Sequence, residues 1–550
     1  MNAAASLFGR ATALEALELA VRSSRLVSVV GAPGVGKTSL VAAWLGARAA
    51  APLGVTAAVE GAANEQDLAA KVAAALGVPL PAGGLARFAA VLAAEPLLLV
   101  LDGADAAAGF AAETFRRWLD EAPHLSLVVT SGAPLGGPSE HVVRVKPLGG
   151  GDATALFHAR ASLVGWKPKH TPDEARVIAG LVDRLDGLPL GIELAAARAS
   201  VLSPKQLLER LEQGLGILER RDAAGSTVSL RAAFALSWTL LDPTSQRVLA
   251  AASVYAGAFS FDAMEAVLPD LGAAAIAAAI DGIVGRSLAA RELTDHDEVR
   301  FRLLSTVRSF ARGELDAKDA EGATVARADA FVVALAERLA RALETHEESV
   351  AAARLHDLAD DLAGAIHRAS TRDPTLAARG AIAFAAFAAP RGSAPVALLA
   401  RALVSAQRTG DGELVARLAY GAARARTRLG MNDEARALLD DGLTRTRESA
   451  DRGLVARILT ERGKLRMQRG DFSGARDDLD AALRELEDAD DPYAAGLAAN
   501  ERGRLEEALG ALEVAARCFL DARARFRHAG SVRMDGIALQ NLGVVRYAQG

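Results

Sequence analysis

The chain has 550 residues, of which 51% are hydrophobic and only 4% aromatic, and its net charge is −5. The length is too great for one core, the alanine-rich composition favours closely packed helices over a sandwich or barrel, and the charge balance excludes a global pull toward nucleic acid or anionic membrane. A single cysteine, Cys518, excludes an intrachain disulfide and a cysteine metal cluster, so a reducing, cytoplasmic setting is expected.

Met1–Ser6 is short and uncharged, so no secretory leader is expected. The apolar stretches 272–280 and 381–389 are too short to span a bilayer. Ala13–Val21 reads as an amphipathic helix. Leu26–Val30 then reads as a strand, followed by Gly31-Ala32-Pro33-Gly34-Val35-Gly36-Lys37-Thr38 and a helical pattern from Ser39. This is the phosphate-loop pattern in its required strand–loop–helix context. Glycines let backbone N–H groups point at phosphate oxygens, and the helix adds the positive end of its dipole. Lys37 supplies charge for the β- and γ-phosphates, and Thr38 a hydroxyl for Mg²⁺.

Gly54–Glu60 reads as a second strand, and helices follow over 64–76 and 84–94. Leu97–Asp102 is a continuous apolar run, the mark of a strand buried on both faces. Asp102 ends it, placed to hold the Mg²⁺ shell, while Asp105 is a candidate for orienting water or for capping a short helix. Leu125–Ser131 is another buried strand whose terminal Thr130 and Ser131 are candidates for sensing the γ-phosphate, and Val142–Val145 is a last short strand. Alternating strands and helices predict a parallel, doubly wound α/β domain.

From Asp152 the pattern is helical: 153–161, 171–185, 195–202 and a helix capped by Ser203-Pro204. Residues 226–316 predict three short helices, a β-like pair (290–293 and 299–303) and a closing helix. Helices alone follow Ala323, over 331–340, 349–369 and 375–388.

These stretches resemble the STAND class of signal-transduction ATPases, specifically the NB-ARC-like bacterial regulators. Leu7-Phe8-Gly9-Arg10 is similar to the entry motif, Thr130–Gly136 to the sensor stretch, Gly187-Leu188-Pro189-Leu190 to the GLPL motif, and 230–243 and 301–308 to the winged helix. The resemblance implies a site for ATP or ADP with Mg²⁺ built from 31–39, including Ser39, with Phe8 and Arg10 closing over the base and Pro189 against it. It also implies self-association in the ATP state. Two departures, Gly132 in place of the sensor arginine and Leu303-Leu304-Ser305 in place of Met-His-Asp, point to weak or slow hydrolysis.

Beyond residue 411 the chain repeats. Gly463, Gly503 and Gly543 are 40 apart, as are Gly430, Gly470, Gly510 and Gly550; Ala435, Ala475, Ala515 and Leu439, Leu479, Phe519 keep the same step. Small residues at helix crossings, with a large apolar residue one turn on, describe stacked helix pairs that resemble tetratricopeptide repeats. A final helix over 534–548 without its partner reads as a truncated unit, or as a face that docks on something.

The expected organisation is therefore multidomain α/β plus all-α: a P-loop domain (1–147), a helical domain (148–225), a winged helix (226–316), a helical connector (317–410) and a repeat solenoid (411–550). The expected function is an ATP/ADP-dependent switch whose repeats sense a protein or peptide. The alternatives are a DNA-binding transcriptional regulator and a scaffold with a degenerate ATPase. The segment that would hold the recognition helix has no dense Lys/Arg face, which argues against direct DNA binding.

Overall fold

The structure is a computed structural model that describes residues 7–48, 54–78, 85–137, 139–214, 216, 218–221, 227–294, 297–319, 321–391, 395–446, 450–487 and 489–549. Met1–Ser6 and the repeat glycine Gly550 lie outside the described residues. The chain forms two compact units, one of residues 1–254 with 258–320, the other of residues 255–257 with 321–550. Among the described residues no helix is long and apolar enough to cross a membrane.

The first unit is built on a five-stranded parallel sheet: β1 (Leu26–Val30), β2 (Gly54–Ala58), β3 (Leu97–Asp102), β4 (Leu125–Ser131) and β5 (Glu140–Arg144), in the order β2-β3-β4-β1-β5. All five β1 residues are buried, as a central strand covered on both faces requires. β2 and β5 are the edges and alternate between covered and exposed positions. Between the sheet and its helices Phe115 and Phe88 pack on Trp118, with ring centroids 5.8 and 5.7 Å away. Local signals set the helix ends. Asn64 caps Glu65–Leu76 through its side chain, and Gly77, at φ +70°, ends it.

The helices Gly150–Leu163, Pro172–Arg184, Pro189–Arg198 and Pro204–Gln213 follow, the last opened by a capping box of Ser203 and Gln206. The third begins at Pro189 rather than at 195, because a proline is at home in a first helical turn. Four helices, not three, come next: Leu230–Thr239, Pro243–Ala252, Phe261–Val267 and Ala273–Gly285. A small hairpin, β6 (Glu219–Arg221) with β7 (Thr227–Ser229), precedes them; its strands are too short to leave a pattern. β8 (Phe259–Ser260), β9 (Ala289–Leu293) and β10 (Val299–Leu303) form an antiparallel sheet in the order β8-β10-β9, and Ser305–Lys318 closes the segment.

In the second unit, Ala323–Ala342, Glu348–Arg372, Pro374–Ala388 and Val396–Ala406 lead to the helix pairs Gly412–Arg428 with Asn432–Arg445, Arg452–Gln468 with Phe472–Glu485, and Pro492–Ala508 with Leu512–His528, then Val532–Gln549. Five of the repeated glycines fall into two groups by cause, whereas a Cβ at Gly543, expected at a helix crossing, would meet nothing. A Cβ at Gly463 would lie 3.1 Å from Leu479, and one at Gly503 only 2.7 Å from Phe519, so these positions are true helix crossings. Gly430, Gly470 and Gly510 cross nothing: they sit at φ of +76°, +82° and +77° and end the first helix of each pair.

Candidate functional site at the carboxyl edge of the sheet

The phosphate-type half of the candidate site comes from the carboxyl ends of the parallel strands, where β1 lies between β4 and β5. The loop after β1 turns through Gly34 and Gly36, at φ +77° and +94°. The second is the N-cap of Lys37–Gly46, so the loop curls directly onto a helix N-terminus. Ala32 and Val35 are buried, Gly31 packs under the Val145 carbonyl, and Pro33 is half-buried.

Lys37 folds back on its loop, with Nζ donating to Gly31 O at 2.9 Å and Ala32 O at 3.3 Å. Burial pushes its pKa below the usual 10.5, and the nearby carboxylates of Asp105 and Asp102 partly restore it. Thr38 and Ser39 are exposed at the start of the helix. Thr38 Oγ1 donates to Asp102 Oδ1 at 2.9 Å, and Thr130 Oγ1 donates to the same oxygen at 2.5 Å. Thr130 also accepts from the Gly103 N–H at 2.9 Å. The sheet order explains this trio: β4 lies between β1 and β3, so its last residues reach both neighbours.

Asp105 lies in a 3-10 turn, Ala104–Ala107, and accepts from the Gly132 N–H at 2.6 Å. A Cβ at Gly132 would come within 2.8 Å of that carboxylate. Gly132, where the sequence resemblance leads one to expect an arginine, is thus the residue on which Asp105 closes. Ser131, buried, holds the Ala133 N–H at 3.3 Å.

Phe8, Arg10, Val35, Ser39 and Pro189 meet around a cavity of about 250 Å³, floored by Leu148 and Leu156 and bordered by the ion pair of Arg160 with Glu193 at 3.0 Å. Arg10 does not turn its charge freely into this space. Its guanidinium donates to Lys146 O at 2.6 Å and Val35 O at 2.8 Å, fastening the phosphate-type loop to the end of β5. Burial lowers the Arg10 pKa, and the Asp152 carboxylate opposes that.

Sequence reasoning missed the connections leading away from the loop. The Leu190 N–H donates to Gly34 O at 3.1 Å. Asp186, at φ +54°, accepts from the N–H groups of Ser305 and Thr306, each at 2.7 Å, and from Thr306 Oγ1 at 2.6 Å. The available signal was an aspartate directly before a glycine, a pair that tolerates positive φ.

A family model described as a winged helix-turn-helix domain matches residues 241–316. A protein of Mycobacterium tuberculosis provisionally named an HTH-type transcriptional regulator is 31% identical over 305 residues, covering 53% of this chain and 34% of its own length. The chain thus spans about a third of these regulators. An uncharacterised protein of the same organism, with a counterpart in Mycobacterium bovis, is 30% identical over 343 residues, covering 58% of this chain and 84% of its own. The chain belongs to the family of that uncharacterised mycobacterial protein. Among solved structures, a STAND protein with a tetratricopeptide repeat sensor from Pyrococcus horikoshii aligns with 99% of this chain and 80% of its own at 15% identity and a TM-score of 0.38. A Walker-type ATPase of Pyrococcus abyssi aligns with 56% and 96% at 15% identity and a TM-score of 0.39.

These matches correct one expectation. The reading against direct DNA binding is overturned by the winged helix-turn-helix match and by the relatives named HTH-type transcriptional regulators, both of which point toward DNA. On the helix Ala273–Gly285 the exposed positions are mostly alanine. On the wing strands β9 and β10, Arg291 and Arg302 are exposed, the second paired with Glu292 at 2.7 Å.

Proposed function

We propose that the chain is a nucleotide-controlled transcriptional regulator of the STAND type. The loop 31–38 holds the phosphates of ATP or ADP, with Lys37 as the charge and the loop amides as donors. Thr38 and Asp102 are the Mg²⁺ partners, with Thr130 orienting the carboxylate. The metal supplies charge neutralisation between phosphate oxygens when bound. Phe8 and Pro189 border the cavity suited to the base, and Ser39 lies at its edge. Asp105 is committed to the Gly132 amide, and no arginine stands there, so this reading puts retention of nucleotide ahead of turnover.

The observation that carries the proposal is a continuous path inside the first unit. Gly34 of the loop bonds to Leu190, and Asp186, on the turn leading to Leu190, bonds to Ser305 and Thr306 at the end of the winged-helix segment. A ligand that prefers one setting of the loop thereby biases the setting of that segment. The helix-pair array, similar to tetratricopeptide repeats, is the input, and the wing arginines are the contacts to DNA phosphates.

The test is ATP binding and DNA retention by the wild type and Lys37→Ala. The proposal expects DNA affinity to differ between ATP and ADP in the wild type and to be blind to nucleotide in the variant. Equal DNA affinity in both nucleotides for the wild type would overturn it.

A further inference from the structure

The loop after β4, residues 132–137, hangs between two carboxylates. At one end the Gly132 N–H donates to Asp105 Oδ1 at 2.6 Å. At the other, Glu140 of β5 accepts from the N–H groups of Leu135, Gly136 and Gly137 at 2.8, 2.7 and 3.3 Å. Hydrogen bonds from amides to a carboxylate are charge-assisted, so both ends are held firmly.

The two carboxylates differ in what else they face. Glu140 shapes a turn at the edge of the sheet. Asp105 stands on the phosphate side: it acts on the Lys37 ammonium more strongly than Asp102 does. Asp102 is taken up by the hydroxyls of Thr38 and Thr130. Among the described residues Asp105 bonds only to the Gly132 amide.

Glycine at 132 is what lets this carboxylate close. Gly132 is not one of the glycines at positive φ, so its backbone would accept another residue. The space would not. A Cβ there would lie 2.8 Å from Asp105 Oδ1 and would meet no other residue within 4 Å. The room left by the missing side chain is filled by the Asp105 carboxylate alone.

We propose that the Asp105–Gly132 hydrogen bond is a releasable lock on ATP hydrolysis, with Asp105 the general base that it holds at the end of β4, turned from the attacking water. The proposal rests on the nucleotide reading above and adds how turnover is controlled. When the loop lifts, the carboxylate is free to orient a water and take its proton. The water oxygen bonds to the γ-phosphorus as the bond to the β,γ-bridging oxygen breaks. That oxygen keeps the electron pair and leaves with ADP, while the water proton passes to Asp105 and on to solvent. Glu140, which holds the far end of the loop, is a positioning residue for a base it does not touch.

The test uses the full chain and two readouts: single-turnover hydrolysis of labelled ATP, and deuterium exchange of the residue-132 amide in ATP-free protein. Gly132→Val fills the place of the carboxylate and is expected to hydrolyse bound ATP at least tenfold faster than wild type, with ATP affinity within twofold. Gly132→Ala displaces the carboxylate less and is expected to fall between. Both should speed exchange of the amide. Adding Asp105→Asn to Gly132→Val is expected to remove the gain in hydrolysis. Glu140→Ala is expected to speed hydrolysis and exchange at least threefold, and Gly109→Ala, whose Cβ would meet nothing, to change neither. ATP retained with no gain in either Gly132 variant, or a gain that survives Asp105→Asn, would overturn the lock and leave the nucleotide reading standing. Unchanged exchange in Glu140→Ala would take Glu140 out of the lock. Failure of the wild type to retain ATP would overturn both the lock and the reading beneath it.

Discussion

Asp186 caps a helix to which it does not belong: its carboxylate takes both the N–H and the hydroxyl of Thr306, at 2.7 and 2.6 Å, from 120 residues away in sequence. The partner helix Ser305–Lys318 has no side-chain cap of its own from Leu304. Asp186→Ala would leave the N–H groups of Ser305 and Thr306 without this acceptor, at a cost of about 2 kcal/mol. Calorimetry is expected to show a lower melting temperature for the first unit, together with faster release of bound nucleotide. Asp186→Asn, which retains one acceptor oxygen, is expected to fall between. An unchanged melt in Asp186→Ala would remove the cap from the account.

Thr38→Ala deletes one of the two hydroxyls that meet Asp102 Oδ1. If that trio is the metal site, the variant loses the Mg²⁺ dependence of ATP binding while keeping binding in EDTA. Titration calorimetry with and without Mg²⁺ is the measurement, and a full Mg²⁺ effect in the variant would refute the assignment.

The Lys37 pKa makes a pH prediction with a definite sign. Burial holds it below 10.5 in the folded protein, so between the folded and unfolded values the unfolded chain carries more proton. Lys37 therefore opposes folding most below its folded pKa, and this penalty is relieved as pH rises toward 10.5. A bound triphosphate favours the charged form, so ATP binding at alkaline pH should take up a proton. Calorimetry in two buffers of different ionisation enthalpy reads that uptake directly; none in the wild type, or the same uptake in Lys37→Met, would contradict it.

Gly187 sits at φ +62°, and a Cβ there would run into the Leu148 carbonyl. Its own carbonyl accepts from the Leu148 N–H at 3.0 Å. Gly187→Ala combines left-handed strain with a backbone clash, so a loss of about 2 kcal/mol or more is expected in a urea titration. A loss under about 0.5 kcal/mol, the level of an ordinary surface change, would mean the turn relaxes freely.

Arg291→Gln tests the wing. Its loss should weaken DNA binding uniformly across sequences and reduce the salt slope by about one. Filter binding at several salt concentrations would decide it, and an unchanged slope would place the DNA contact elsewhere.

Much of this protein was legible where local chemistry leaves one solution. The limits of β1, β3 and β4 follow from apolar runs bounded by charge or glycine, and the cap at Ser203-Pro204 follows from residues with few other uses. The loop 31–38 was legible because glycine, lysine and threonine at that spacing serve few other purposes. The 40-residue step marked the helix pairs but not why each glycine is there. One set answers to a neighbouring side chain and the other to its own φ, which a letter does not distinguish.

The sequence alone determined the local states and the types of chemistry available: strand, loop, helix, the charge of Lys37 and the hydroxyl of Thr38. Only the tertiary structure decided which of these groups meet. Placing β4 between β1 and β3 brings Thr38, Asp102 and Thr130 onto one oxygen; folding Arg10 inward spends it on carbonyls; and the turn at Asp186 reaches a helix 120 residues on. Periodicity and propensity act over a few residues, whereas these partners are chosen by strand order and by the need of buried polar groups for a hydrogen bond.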